Sequence, residues 1–497
     1  MKKLNAVLSA IVILGLALPF AGCGDEAEKV VTLRVSSWEE YIDLGGWDED
    51  EVIDLESGDI FGEHSMVDDF TEWFNENHDY KVKVEYSTFG TNEDLYNRLS
   101  LGDTYDLVCP SDYMIMKLLA EDRLEKYSQK FLTSGTYTKN VSPYIAEVYK
   151  DYGWTEYAAC YMWGTSGFVY NPEKIEDESD ISSCEILLNT DYNRAVTIKD
   201  NVRDAYFATL SIIYKDELSA GNLTSEKLSE LLNDTASETI EKAEDVLKEI
   251  KSNVYSFETD SGKADMVTGK VVANYQWSGD AVYIMDEADA DETELWYSVP
   301  EECSNLWFDG WVMLKDGIDG NEQRREAAEE FVNFLAQPEN AVRNMYYIGY
   351  TSAIATDTVF EYMEWNYGAE SEDPQKTVDY DLSYFFGDED AVLVADRENF
   401  EIDDGGINRG RQLFAQYPPS NVIERSVVML DFGEKLAEIN QMWINVRCPD
   451  LKDASPALWG VVGGIAGASV IAVCLYIFRH KIFFSYRPKK GYEKVEN

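Results

Sequence analysis

Residues 81–120 read KVKVEYSTFGTNEDLYNRLSLGDTYDLVCPSDYMIMKLLA. Val82, Val84 and Tyr86 alternate with Lys81, Lys83 and Glu85, the pattern of a strand with one face buried. Thr91-Asn-Glu-Asp94 resembles a capping box that opens a helix, and Gly102 ends it. Asp106-Leu-Val-Cys-Pro110 predicts a short buried strand, with a helix following from about Tyr113. Upstream, Leu33 to Ser37 reads as a strand. Met66, Val67, Phe70, Trp73 and Phe74 fall at helical spacing. The order is β-α-β-α-β-α, so the sheet is expected to be parallel and the class α/β.

The rest of the chain extends that class. A second α/β stretch covers roughly 160–306, with strands at Phe168-Val-Tyr170 and Ala195-Val-Thr-Ile198. Ile240, Ala243, Leu247 and Ile250 mark a helix. A helix from Glu322 to Ala336 is closed by Pro338. Leu430 to Val446 reads as a terminal helix. Residues 44–65 and 364–404 are acidic and read as surface insertions.

Composition narrows function. The 497 residues allow two or three domains, and 45% hydrophobic content allows a large core. Lys plus Arg is 42 against 94 Asp plus Glu, a net charge of −52 that argues against nucleic acid as a partner and would attract a cation. His64, His78 and His480 are the three histidines, too few for a His-built metal site or a Ser-His-Asp triad. No nucleophile–base pair, metal constellation or cofactor loop stands out, so neither an enzyme nor a cofactor is expected. Asp316-Gly-Ile-Asp319-Gly320 reads as a turn before a helix. The cysteines are too scattered to define a disulfide framework.

Both ends carry membrane signals. Lys2 and Lys3 precede a mostly apolar run, Leu4 to Leu18, and Ala21-Gly22-Cys23 follows. This reads as an export signal over 1–23 with a lipoprotein-type processing site. Cys23 becomes the lipidated first residue, ahead of a linker at 24–29. Leu458 to Phe478 carries no charge and is long enough to span about 30 Å of hydrocarbon as a transmembrane helix. The basic tail at 479–497 then faces the cytoplasm and the bulk of the chain lies outside. Gly460, Gly463, Gly464 and Gly467 suit either a plain anchor or a helix–helix contact.

A chemical pattern recurs between these ends. Asn305-Leu-Trp-Phe-Asp309, Trp38-Glu-Glu-Tyr41 and Trp277-Ser-Gly-Asp280 each set an aromatic near an acid. A ring face attracts an organic ammonium by roughly 0.5–2 kcal/mol. A carboxylate adds a charge-assisted hydrogen bond of about 1.5–3 kcal/mol.

These segments, with Tyr105-Asp-Leu-Val-Cys-Pro-Ser-Asp-Tyr113, Tyr161-Met-Trp-Gly-Thr-Ser-Gly167 and Tyr347-Ile-Gly-Tyr350, agree in order and spacing with a known family. The chain resembles the extracytoplasmic spermidine/putrescine-binding proteins of ABC transporters, from about Val31 to Asp357 and again over 417–447. The resemblance implies a two-lobe, periplasmic-binding-protein-like clamshell fold. Lobe one would be 30–159 plus 307–357, and lobe two 160–306 plus 358–448. It implies a polyamine ligand in the cleft, boxed by Trp38, Tyr41, Tyr113, Trp277, Trp307 and Tyr350. Asp309, Ser111, Asp204 and Asn201 would hold its ammonium ends. Trp163 and Trp311 read as packing. The family's Asp-Asp-x-Arg-Glu segment is here Asp200-Asn-Val-Arg-Asp204: one acid has become Asn201 and Glu the shorter Asp204. Asp280 either supplies compensating charge or caps a helix. Glu424 and Arg425 fall near a further cleft position.

The implied function is a receptor on the outer face of the cell membrane that hands polyamine to ABC permease subunits. Two other readings use the same architecture: a membrane-anchored polyamine sensor, and a binding protein for a different solute such as a sugar.

Overall fold

A computed structural model describes residues 30–48, 51–220, 223–403 and 406–448. The opening elements follow the reading above. Val30–Trp38 runs parallel to Lys81–Phe89 in unbroken register and parallel to Leu107–Val108 on its other side. Helix Met66–Asn77 starts at Ser65, whose side chain accepts from Asp68 N, and it buries Met66, Phe70 and Phe74. Helix Asn92–Leu101 starts at Thr91, which accepts from Asp94 N, and stops at Gly102 with φ 104°. Helix Asp112–Ala120 follows the short strand. Each parallel pair is joined by a crossover helix, as parallel strands require.

Two long strands, Ala158–Tyr170 and Ser304–Leu314, are buried along their whole length and pair antiparallel. Where only Phe168–Tyr170 is expected as strand, the extended run begins ten residues earlier. The first half of Ala158–Tyr170 pairs with Ser304–Leu314, and the second half with Ala273–Trp277 and Trp296–Ser298. The strand therefore leaves one sheet neighbourhood and enters another. Two hydrophobic clusters lie to either side. The first gathers Leu33, Val35, Phe70, Leu107, Trp163, Trp311 and Phe331. The second gathers Phe168, Val196, Ile198, Phe207, Leu247, Tyr275 and Met442. Beyond the crossing, Val196–Lys199 runs parallel to Ala273–Trp277 and to Ser256–Glu258.

Both acidic stretches differ from the plain surface insertions expected. Residues 44–65 include a hairpin, Ile53–Leu55 with Gly58–Ile60, and bury Trp47, Ile53, Leu55 and Ile60. Residues 364–404 form a second hairpin, Thr377–Asp381 with Val392–Asp396, that buries Tyr380, Leu382, Phe385 and Leu393 in the first cluster. Phe385 stacks on Trp163 at 5.5 Å. In both hairpins acids such as Asp54, Asp379 and Asp381 take exposed positions next to buried apolar ones and mask the apolar face in composition. The terminal helix begins at Leu436 rather than Leu430, because Asp431 and Phe432 turn inward to a buried arginine.

Among the described residues no helix is long and apolar enough to cross a membrane. The expected export signal, Cys23, the run Leu458–Phe478 and the basic tail lie outside the described residues.

Candidate functional site

The pairing of Ser304–Leu314 with Ala158–Tyr170 shifts register between Asp309 and Gly310, where Tyr161 of the partner strand is the extra residue. Ser111 bridges to Asp309 there, and Gly310 N donates to Pro110 O at 3.0 Å. A bulge interrupts the ladder locally, and the Asp309 carboxylate stands opposite this interruption. It is buried and accepts from the Tyr41 hydroxyl at 2.7 Å. Burial pushes its carboxyl up to about 6, while hydrogen bonds from Ser111 and Tyr41 hold it down in part. Among the described residues no basic side chain forms an ion pair with it.

Three aromatic rings gather beside this acid. Tyr41 meets Tyr350 edge-on at 4.9 Å, and Tyr350 meets Trp307 at 5.7 Å. Trp307 is pinned by its indole N–H, which donates to Thr165 O at 3.0 Å. Two glycines make room. A Cβ on Gly164 would lie 2.6 Å from the Trp307 ring, and one on Gly279 would lie 2.3 Å from the Tyr350 ring. That explains why Tyr161-Met-Trp-Gly and Trp277-Ser-Gly-Asp need glycine. The Tyr350 hydroxyl donates to Asp280 Oδ1 at 2.9 Å, which ties this group to the opposite wall.

The opposite wall is built by the end of strand Val196–Lys199, the start of helix Val202–Ile213, and Trp277 with the helix that follows it. Helix Val202–Ile213 starts at Asn201, whose side chain accepts from Arg203 N at 2.8 Å, so Asn201 is a helix cap. Asp204 sits in the first turn and accepts from the Trp277 indole N–H at 3.2 Å. Burial pushes Asp204 up to about 6, with the Trp277 bond and the positive charge of Lys199 opposing it. Lys199 lies beneath: its ammonium is 4.1 Å from the Trp277 ring centre, 2.7 Å from Thr259 O and 3.5 Å from Asp280. Lys263 reaches Asp280 at 3.1 Å. Asp280 thus joins two lysines and Tyr350, and helix Ser278–Ala290 starts at Trp277 with no side-chain cap bond.

Tyr113 and Ser111 form a third group. Asn92 Nδ2 donates to Tyr113 Oη at 2.9 Å and to Ser111 Oγ at 3.1 Å. The Tyr113 ring is covered by Arg203, whose guanidinium lies 3.9 Å from Tyr113 and 3.8 Å from Phe432. Arg203 also reaches Asp431 at 3.3 Å and donates to Leu430 O. Asp112 accepts from Phe308 N at 3.1 Å, and burial pushes its carboxyl up to about 8 against the two backbone bonds it accepts.

The expected residues are therefore brought together unequally. Tyr41, Trp307, Tyr350 and Asp309 converge on one another. Trp277 and Asp204 converge with Asp280, joined to the first group through Tyr350. Trp38 packs on Phe89 at 4.9 Å, and among the described residues no ring contact joins it to the trio. Arg425 donates to Val299 O and Pro300 O, bracing that turn. Trp163 and Trp311 lie fully buried in the first cluster. Lys199, Arg203, Lys263 and Asn92 were not anticipated, although Lys199 and Arg203 flank Asn201 in sequence.

The architecture is a two-domain α/β binding fold with an acid-and-aromatic site between crossing strands. The bacterial extracellular solute-binding protein family matches residues 66–366, and the chain belongs to that family. The spermidine/putrescine-binding periplasmic protein of Salmonella typhimurium is 26% identical over 352 residues, 70% of this chain and 84% of that protein. The putrescine-binding periplasmic protein SpuD of Pseudomonas aeruginosa is 25% identical over 352 residues, 68% of this chain and 82% of its own. Two solved structures share the fold. The putative spermidine/putrescine ABC transporter protein from Listeria monocytogenes has a TM-score of 0.55 at 22% identity, covering 84% of this chain and 98% of its own. The Tp0655 lipoprotein of Treponema pallidum has a TM-score of 0.56 at 17% identity, covering 84% and 99%.

Proposed function

We propose that this chain is an extracytoplasmic polyamine receptor, binding spermidine or putrescine and delivering it to the permease of an ABC transporter. The observation that carries the reading is Asp309: a buried carboxylate beside Trp307, Tyr41 and Tyr350 with no basic partner among the described residues. A buried charge is costly until paired. An alkylammonium supplies the missing charge, and its methylenes suit the aromatic walls. The names of the relatives point to the same ligand class. The crossing strands Ala158–Tyr170 and Ser304–Leu314 serve as the natural hinge for closure over ligand. Closure desolvates the ammonium against the acids and favours the occupied state.

Attachment to the outer face of the membrane belongs to the same proposal. It rests on the export signal ending at Cys23 and on the apolar run Leu458–Phe478 with its basic flank. Calorimetry on the purified full-length chain in detergent tests the ligand. Putrescine or spermidine should bind with roughly micromolar affinity, about −8 kcal/mol. Neither heat nor a thermal shift with any polyamine, alongside clear binding of a sugar, would overturn it.

A further inference from the structure

The two ends of the site differ in one respect that bears on which cation fits. At the Asp309 end, carboxylate and rings stand without a basic side chain. At the Trp277 end the protein already holds a cation. The Lys199 ammonium lies 4.1 Å from the centre of the Trp277 ring and 3.5 Å from Asp280, with a 2.7 Å bond to Thr259 O. Its side chain is 1% exposed. Aromatic face, carboxylate and carbonyl are the partners that an arriving ammonium would use. Asp280 is also met by Lys263 at 3.1 Å. The ends are continuous, because Tyr350 bonds Asp280 and packs edge-on against Tyr41, the donor to Asp309.

Resting on the polyamine reading, we propose that Lys199 is a specificity-determining residue, a tethered cation that fills the Trp277–Asp280 end of the site. The ligand then brings an ammonium only to the Asp309 end, and the site selects a short alkylamine over a triamine that needs both ends. A second ligand ammonium at Trp277 would meet Lys199 and Lys263, which already match the charges of Asp280 and Asp204 there, and like charges in a desolvated site repel strongly. The strand register places Lys199 there. Val196–Lys199 pairs parallel with Ala273–Trp277, aligning Val196 with Ala273 and Thr197 with Asn274. Lys199 thus reaches the level of the indole at the strand's end.

Calorimetry on the full-length chain with butylamine, putrescine and spermidine tests this. The wild type should bind butylamine within about tenfold of putrescine, and spermidine no tighter than putrescine. Lys199→Met frees the Trp277 face, leaving Asp280 with Lys263, and should improve spermidine relative to butylamine by about tenfold or more. Lys199→Arg keeps the charge and should keep the wild-type ranking. A wild type that prefers spermidine by tenfold or more, or a folded Lys199→Met with an unchanged ranking, overturns the inference. If Lys199→Met does not fold, the wild-type ranking decides alone. Absence of binding by all three amines removes the polyamine reading itself, whereas binding in the wrong order removes only the role of Lys199.

Discussion

The Tyr41 hydroxyl donates to Asp309 Oδ2 at 2.7 Å across 268 residues of sequence. One partner follows the first strand and the other sits where the pairing of the two crossing strands shifts register, so the bond exists only in the assembled fold. It leaves Asp309 as an acceptor aimed at the aromatic trio. Asp309→Asn keeps the shape and removes the charge. It should weaken polyamine binding at least about tenfold, or 1.4 kcal/mol. Trp307→Ala removes a wall and should cost at least as much. Calorimetry at neutral pH reads both, and normal affinity in both would mean that the site lies elsewhere.

Binding should weaken in acid. Asp309 and Asp204 both sit at about 6, raised by burial. An ammonium pairs with the ionised form. Affinity should therefore be flat above about pH 7, fall as pH drops through 6, and be accompanied by proton release on binding near that value. Calorimetry in buffers of different ionisation heat measures the released protons. Tyr41→Phe removes one bond that holds Asp309 down, so its binding midpoint should move to higher pH.

Stability of the ligand-free protein should respond in the opposite direction. A carboxyl whose folded pKa exceeds its unfolded value near 3.9 binds its proton more tightly in the folded state. Between about pH 4 and 6 the contribution of Asp309 to stability falls as pH rises, and the penalty is complete above 6. Asp309→Asn has no such penalty. The Tm difference between Asp309→Asn and wild type, both ligand-free, should favour the variant more at pH 7 than at pH 5. Differential scanning calorimetry at the two pH values checks it; an equal difference at both would place the Asp309 carboxyl in its ordinary range.

How much of this was legible in the sequence depends on whether the signal is local. The β-α-β-α-β opening was legible because its elements carry their own marks: the alternation at Lys81–Tyr86, Thr91 as a cap, Gly102 as a stop. The Trp307–Asp309 pair was legible as chemistry for a cation, and the family motifs then named Tyr41 and Tyr350 beside it. Lys199 and Arg203 were not, because a lone basic residue reads as surface unless its long-range partners are known. Only the register against Ala273–Trp277 places Lys199 near Trp277, and only the turn at Asp431 and Phe432 completes the slot for Arg203. Asn201 was read for its polarity, while the helix start uses it as a cap. The acidic hairpins hid their apolar faces for a similar reason. Tyr380 and Leu393 are cross-strand partners, but each is flanked by residues that face solvent.

Gly279→Ala separates helix propensity from site geometry. Gly279 lies within helix Ser278–Ala290, where alanine is intrinsically better by roughly 0.5–1 kcal/mol. Yet an added Cβ would stand 2.3 Å from Tyr350 ring atoms. The ring must move, loosening its bond to Asp280 and its contacts with Tyr41 and Trp307. The substitution should lower Tm and weaken ligand binding together. A gain in Tm with unchanged affinity would show that the ring has room to shift.

Arg203 joins parts of the chain far apart in sequence. Its guanidinium is stacked between Tyr113, in the helix after the short parallel strand, and Phe432, in the turn before the terminal helix. Bonds to Leu430 O and Asp431 fix its edge. Stacking on two rings needs a planar cation, so lysine is not a conservative replacement. Arg203→Lys keeps the charge, loses the double stack, and leaves Tyr113 and Phe432 without their shared partner. Because Tyr113 belongs to the first cluster and Phe432 packs against the second, the bond acts across the two halves of the fold. Arg203→Lys should give a larger radius of gyration in ligand-free solution scattering, with ligand reducing the difference from wild type. Its Tm should fall by several degrees, as expected for a loss of about 1–3 kcal/mol. An unchanged scattering profile with a lowered Tm would confine Arg203 to local packing.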